Sequence, residues 1–70
     1  MTFAVKNTVH QERTRAGFTQ EELAEKIGVS RQTVIAIEKG NYTPSVLLAL
    51  RIADTFHMSV EEIFTLTHEK

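Results

Sequence analysis

The chain contains no cysteine, so neither a disulfide nor a thiolate metal site can staple it. That absence is compatible with a reducing compartment. No apolar run approaches the ~20 residues that a membrane span needs, and no N-terminal basic-then-apolar stretch marks a secretory leader. The expectation is a soluble protein of the cytoplasm. Low-complexity segments and internal repeats are also lacking. So is an excess of positive charge: the net charge is −1, and bulk charge gives a nucleic-acid partner no support. Proline occurs once and glycine three times, so each marks the chain informatively.

The length bounds the rest. Seventy residues make one domain, expected over 1–70, with no room for a second. A chain this short buries only about 60% of its unfolded surface, so its margin of stability is small. The distribution of charge says more than its sum. Glu21, Glu22, Glu25, Glu61, Glu62 and Glu69 sit in two stretches, while Arg31 and Lys39 bracket a segment whose single acid is Glu38. One basic face is within reach of this pattern.

Gly17, Gly28, Gly40 with Pro44, and Ser59 divide the chain. Val5 and Val9, at helical spacing, predict a first helix over 5–16, closed by Gly17. Thr19-Gln-Glu-Glu22 is a capping box, in which the Thr oxygen accepts from the N3 amide and Glu22 reaches back. A second helix runs from there to about Ile27, with Leu23, Ala24 and Ile27 on one stripe. Gly28 can take the positive φ of a sharp stop. Ser30 is the next N-cap, opening a third helix from Arg31 to Lys39 with Val34 and Ile37 on its buried face. Thr43-Pro44 predicts an N-cap followed by proline at the first helical position, and a fourth helix over about 45–56. Ser59-Val-Glu-Glu62 is a second capping box and starts a short fifth helix. Phe64-Thr-Leu-Thr67 alternates apolar and polar, and Met1 to Val5 is the segment that could pair with it.

Thr19 to Gly40 carries the functional signal. Two short helices are joined by Ile27-Gly28-Val29-Ser30. The glycine lets the chain reverse without a Cβ clash, and the apolar residue after it plugs the angle between the helices. This is what a helix-turn-helix requires. The second helix offers Arg31, Gln32, Ile35 and Ala36 near its N-terminal end. Arg can bond guanine O6 and N7, Gln can bond adenine N6 and N7, and Ile or Ala can touch a thymine methyl.

The run FTQEELAEKIGVSRQTVIAIEKGNYTPS resembles the helix-turn-helix signature of the Cro/CI-like (XRE) family of regulators. SRQT followed by IEKGNYTPS resembles its minimal compact members, close to cytolysin-repressor-like proteins. The likeness spans about residues 9–64. It implies an all-α, lambda-repressor-like five-helix bundle, to which the terminal β-pairing would be an addition. It further implies a transcriptional repressor that binds double-stranded DNA as a homodimer at a pseudo-palindromic operator.

Residue by residue, the resemblance places Gln20 at a position that holds phosphate and sometimes a base. Ser30, Arg31, Gln32 and Ala36 match groove-facing positions of the recognition helix, and Thr33 and Lys39 match backbone contacts. Asn41, Tyr42, Thr43 and Ser45 fall in the loop and helix start that lie along the phosphates. Helix N-termini offer free amides and a positive dipole end to such groups. Arg13 and Glu38 match a buried ion pair that ties helix one to the recognition helix. Three positions depart from the pattern: Glu12 stands where relatives are often apolar, Leu47 where they are often polar, and Ala36 where several have a longer base reader.

Plainer readings stand beside these. Arg31 and Gln32 also suit a solvated helix face, and Ile35 suits half-burial against a neighbour. Lys39 suits a helix C-terminus by charge alone, and Tyr42 the edge of a core. Leu47, Phe64 and Leu66 are either core or a dimer patch. His10, His57 and His68 share no i, i+4 face, so no metal site is expected. Glu21/Glu22 and Glu61/Glu62 are helix N-terminal acids, and Ser30 and Ser45 are caps without a triad around them. No enzyme activity, cofactor, membrane contact or small-molecule ligand is inferred. A module that binds a partner protein, such as an antitoxin, is the competing reading.

Overall fold

The computed structural model describes the backbone of residues 2–69 and the side chains of residues 3–68. The order is β1 (Thr2–Asn7), α1 (Val9–Ala16), α2 (Gln20–Ile27), α3 (Arg31–Glu38), α4 (Val46–Thr55), α5 (Val60–Ile63) and β2 (Phe64–Glu69). Five helices enclose one core, and the two terminal strands pair antiparallel beside it, Thr2 opposite Glu69 and Asn7 opposite Phe64.

The predicted first helix over 5–16 is corrected at its start, because residues 2–7 form β1. Val5 and Val9 have helical spacing, but Phe3 and Val5 also have strand spacing. The strand reading wins because β2 offers a complete ladder of partners and because Asn7 interrupts the chain. The Asn7 side chain accepts from the Val9 amide at 3.0 Å and donates to the Ile37 carbonyl at 3.0 Å, pinning the start of α1 to the end of α3. The pairing expected between Met1–Val5 and Phe64–Thr67 is present and longer; Met1 itself lies outside the described residues.

The helix-turn-helix follows the predicted local chemistry. Both halves of the capping box at α2 form: Glu22 N–H donates to Thr19 Oγ1 at 3.0 Å, and Thr19 N–H to Glu22 Oε1 at 2.8 Å. Gly28 closes α2 at φ 78°, a left-handed conformation that disfavours any Cβ. Its surroundings are tight as well, since a Cβ there would lie 2.9 Å from Arg51 Nη1. That guanidinium donates to the Ile27 carbonyl at 3.4 Å. Ser30 caps α3 by accepting from the Thr33 amide at 3.2 Å. Lys39 is the C-terminal cap of α3 and stands outside the helix.

Helix α4 begins at Val46, and its cap is Ser45, whose hydroxyl accepts from the Leu48 amide at 3.1 Å. The N-cap predicted at Thr43 is therefore displaced by two residues, and Pro44 belongs to the loop. In α5, the Glu62 carboxylate accepts from both the amide and the hydroxyl of Ser59.

Val9, Leu23, Ala24, Ile27, Val34, Ile37, Leu48, Ile52, Ala53 and Ile63 form the buried core, with Val29, Phe56, Met58, Val60 and Phe64 packed against it. Every helix contributes to it, so α2 and α3 are held at a set angle by α1, α4 and α5 rather than by the turn alone. Glu12 is also buried. It stands at the position where relatives are often apolar and pairs with Arg15 at 3.4 Å on its own helix.

Candidate nucleic-acid interface

The N-termini of α2 and α3 open onto the same side. A shallow hollow between them is lined by Arg13, Thr19, Gln20, Glu21 and Arg31. Each of these two helices begins with amides that no carbonyl of its own turn can satisfy. Thr19 and Ser30 take up part of that capacity, and the remainder adds a positive end to the hollow.

Arg31 and Gln32 are both exposed at the start of α3, free to reach outward. Thr33, Ile35 and Ala36 are half-buried. The Ser30 hydroxyl serves its own helix as a cap and is 3.0 Å from the Thr33 hydroxyl, so these two side chains spend hydrogen-bonding capacity on the fold. Lys39, Asn41, Tyr42, Thr43 and Ser45 are exposed along the segment after α3. Thus Arg31 and Gln32 supply the long polar side chains at the tip of α3, and Lys39 adds a cation at its far end.

Behind the hollow lies a charged cluster. Arg13 grips Glu38 with two nitrogens, Nε to Oε2 at 2.6 Å and Nη2 to Oε1 at 3.2 Å, a bidentate pairing that fixes geometry. Arg13 Nη1 also donates to the Phe18 carbonyl at 2.9 Å, so one guanidinium ties α1, the α1–α2 loop and α3. Gln20 Nε2 donates to Glu38 Oε1 at 3.3 Å. His10 Nδ1 lies 3.1 Å from both Glu38 Oε1 and Arg13 Nη2. Burial alone pushes the Glu38 carboxyl up. The hydrogen bonds from Arg13, His10 and Gln20, with the Arg13 charge, outweigh it and hold the group below its ordinary value.

The family resemblance pairs Arg13 with Glu38 and gives His10 no role. The available signal was its spacing, three residues before Arg13 on α1, which puts both on one helix face. Glu21, read as a helix N-terminal acid, also lines the hollow. Leu47 is exposed, as its departure from the family pattern implied, and lines a groove with Gly28, Tyr42 and Arg51. Phe64 is half-buried and packs on the core, whereas Leu66 is exposed. Among the described residues, no helix is long and apolar enough to cross a membrane.

The family model described as Helix-turn-helix matches residues 9–63. An uncharacterized HTH-type transcriptional regulator of Bacillus subtilis, YgzD, is 54% identical over 65 residues, covering 93% of this chain and 98% of its own. A second, from Methanocaldococcus jannaschii, is 53% identical over 60 residues, covering 86% and 91%. Among solved structures, the restriction-modification controller protein C.AhdI from Aeromonas hydrophila superposes with a TM-score of 0.72 at 30% identity, covering 77% of this chain and 82% of that one. A chain of the SinR protein/SinI protein complex gives a TM-score of 0.71 at 29% identity, covering 77% of this chain and 53% of that one. The helix order, the capped N-termini of α2 and α3 and these likenesses agree, and the chain belongs to the Cro/CI-like (XRE) helix-turn-helix family of DNA-binding transcriptional regulators.

Proposed function

We propose that the protein is a sequence-specific repressor that reads duplex DNA with the N-terminal half of α3 and binds a pseudo-palindromic operator as a homodimer. The observation that carries this reading is the exposure of Arg31 and Gln32 at the capped start of α3, beside the hollow at the start of α2. With α3 in the major groove, Arg31 takes guanine O6 and N7, and Gln32 takes adenine N6 and N7. Ala36 and Ile35 lie against base edges or thymine methyls. Gln20, Thr33, Lys39, Asn41, Tyr42, Thr43 and Ser45 follow the phosphates, which sets register rather than sequence. The module acts as one unit over the chain, centred on residues 19–40.

The homodimer reading rests on an uncovered apolar face. Phe3, Val5 and Leu66 are exposed on the sheet, and Val46 and Leu50, one turn apart, are exposed on α4. Val5 and Leu66 are cross-strand partners, and Val5 and Val46 line one groove with Pro44, Ala49, Val60 and Phe64. All five are at least 40% exposed, and an exposed cluster of large apolar side chains marks an interaction surface. A two-stranded sheet with a bare apolar face is marginal in water. The five residues carry no charge, so the patch is compatible with itself across a two-fold axis. A second copy of this chain is the occupant proposed.

The test is selection from random-sequence duplexes at two salt concentrations. Recovery of a pseudo-palindrome with half-sites about one helical turn apart is the expected result. Weak, salt-sensitive and sequence-blind binding would overturn the reading and direct attention to a protein partner.

A further inference from the structure

We propose that Glu38 is a positioning residue for the DNA interface: its Oε1 holds the side-chain amide of Gln20 in a fixed orientation at the mouth of the hollow. The inference rests on the DNA-binding reading above and goes beyond the ion pair that Glu38 makes with Arg13. Glu38 and Gln20 are 18 residues apart, on the last turn of α3 and the first of α2, and are joined by the 3.3 Å contact from Nε2 to Oε1.

The chemistry of the two groups sets the orientation. An ionised carboxylate only accepts hydrogen bonds, and an amide presents both a donor and an acceptor. The Glu38 carboxylate is held in its charged form by Arg13 on the other side. The Gln20 nitrogen therefore faces Glu38, and the flipped amide, which would set oxygen against oxygen, is excluded. One N–H is committed. The remaining N–H and the carbonyl oxygen stay available at the rim of the hollow that Gln20 lines with Arg31. An amide in this state can donate to a phosphate oxygen without first being immobilised.

Pre-organisation is the source of the effect. A free glutamine has three rotatable side-chain bonds, and fixing such a side chain on binding costs affinity. Glu38 removes that cost in the free protein, because it is itself immobile: its side chain is 6% exposed and gripped by Arg13, which in turn bonds the Phe18 carbonyl. Helix α1, through Arg13, thereby sets a DNA-facing group on α2 by way of α3. His10 meets the same Oε1 at 3.1 Å and leaves that atom with little freedom to move from Gln20.

Two measurements test this, one without DNA. In the free protein, NMR of the Gln20 side-chain amide should show slowed hydrogen exchange and shifts away from those of a mobile amide, and both should be lost in Glu38→Gln. Affinity for the duplex recovered by selection should fall roughly three- to tenfold in Gln20→Met. It should fall similarly in Glu38→Gln, and no further in the double variant, since the two act as one unit. Additive losses, or a freely averaging Gln20 amide in the wild type, overturn the proposal. If Glu38→Gln does not fold, Gln20→Asn keeps the amide but is too short for Glu38. It should lose affinity as Gln20→Met does, and wild-type-like binding by Gln20→Asn overturns the proposal. If the wild type binds no duplex selectively, the DNA reading fails while the amide signal still reports whether Glu38 holds Gln20.

Discussion

The guanidinium of Arg13 and the carboxylate of Glu38 meet through two hydrogen bonds, at 2.6 and 3.2 Å, with side-chain exposures of 13% and 6%. A pair so buried adds little net stability compared with apolar residues of the same size, but removing one partner strands the other charge. Glu38→Ala is expected to cost about 3–5 kcal/mol. In a domain this small that lowers the melting temperature by roughly 12 °C or more. Thermal unfolding followed by circular dichroism measures it, and a midpoint unchanged within a degree or two would contradict the pairing.

The same carboxylate gives the domain an acid limit. Burial raises the Glu38 carboxyl, but the hydrogen bonds from Arg13, His10 and Gln20 and the Arg13 charge bring it below 4.5. Glu22 and Glu62 are also held low, by the Thr19 and Ser59 amides and hydroxyls of their capping boxes. A carboxyl whose folded value is depressed contributes stability above its unfolded value and loses it as pH falls through the folded one. Stability should therefore be level above about pH 5 and fall progressively below it. Urea midpoints down to about pH 3 would show this. In Glu38→Gln the fall should be shallower, and an equally steep fall would assign the acid limit to other carboxyls.

Gly17 and Gly28 offer a matched comparison. Both have positive φ, 81° and 78°, but a Cβ at Gly17 meets open space and one at Gly28 meets Arg51 Nη1 at 2.9 Å. Gly17→Ala should cost ~1–2 kcal/mol from the backbone alone. Gly28→Ala should cost that plus a further ~1 kcal/mol or less, because the Arg51 tip can swing aside once its bond to Ile27 is given up. In an Arg51→Ala background the two alanines should cost the same. Chemical denaturation of the six proteins measures this; a persistent excess at position 28 would place the strain in the helix-turn-helix turn itself.

The capping residues explain how much of this architecture was legible. Thr19 with Glu22, and Ser59 with Glu62, are three residues apart, so their hydrogen bonds are local and visible in one dimension. The start of α1 was not legible, because Val5 and Val9 satisfy a helical period while Phe3 and Val5 satisfy a strand period. Only the pairing with residues near the other terminus decides between them. Thr43-Pro44 and Ser45 are competing caps of equal local merit, separated only by where α4 docks. At the interface, Arg31 and Gln32 were readable from position in the motif. The contacts of Glu38 with Gln20 and His10 were not, since they join residues 18 and 28 apart through a tertiary fold.

Arg31→Ala should reduce affinity for the selected operator by ~1–3 kcal/mol and relax preference at one base pair. Salt dependence separates this from a phosphate role. If Arg31 reads a base, Lys39, the exposed C-cap just after α3, is a cation left to the phosphates. Lys39→Ala should then flatten the plot of log affinity against log salt by about one unit per subunit, leaving base preference intact. Uniform weakening across all sequences by Arg31→Ala would make Arg31 a phosphate contact.

The apolar face divides the residues first grouped as a dimer patch. Leu66 is exposed on the sheet opposite Val5, and Val46 shares a groove with Val5, whereas Leu47 lines a different groove with Gly28 and Arg51. In an isologous dimer each substitution occurs twice near the axis, so Leu66→Glu and Val46→Glu bring like charges together as well as removing apolar area. Such juxtaposition costs several kcal/mol, enough to raise the dimer dissociation constant by ~100-fold or more. Both variants should sediment as folded monomers and lose tight binding to two half-sites while keeping weak binding to one. Leu47→Glu should remain dimeric. Dissociation by Leu47→Glu with dimeric Leu66→Glu would move the two-fold axis to the other side of α4 and turn the sheet face toward a different partner.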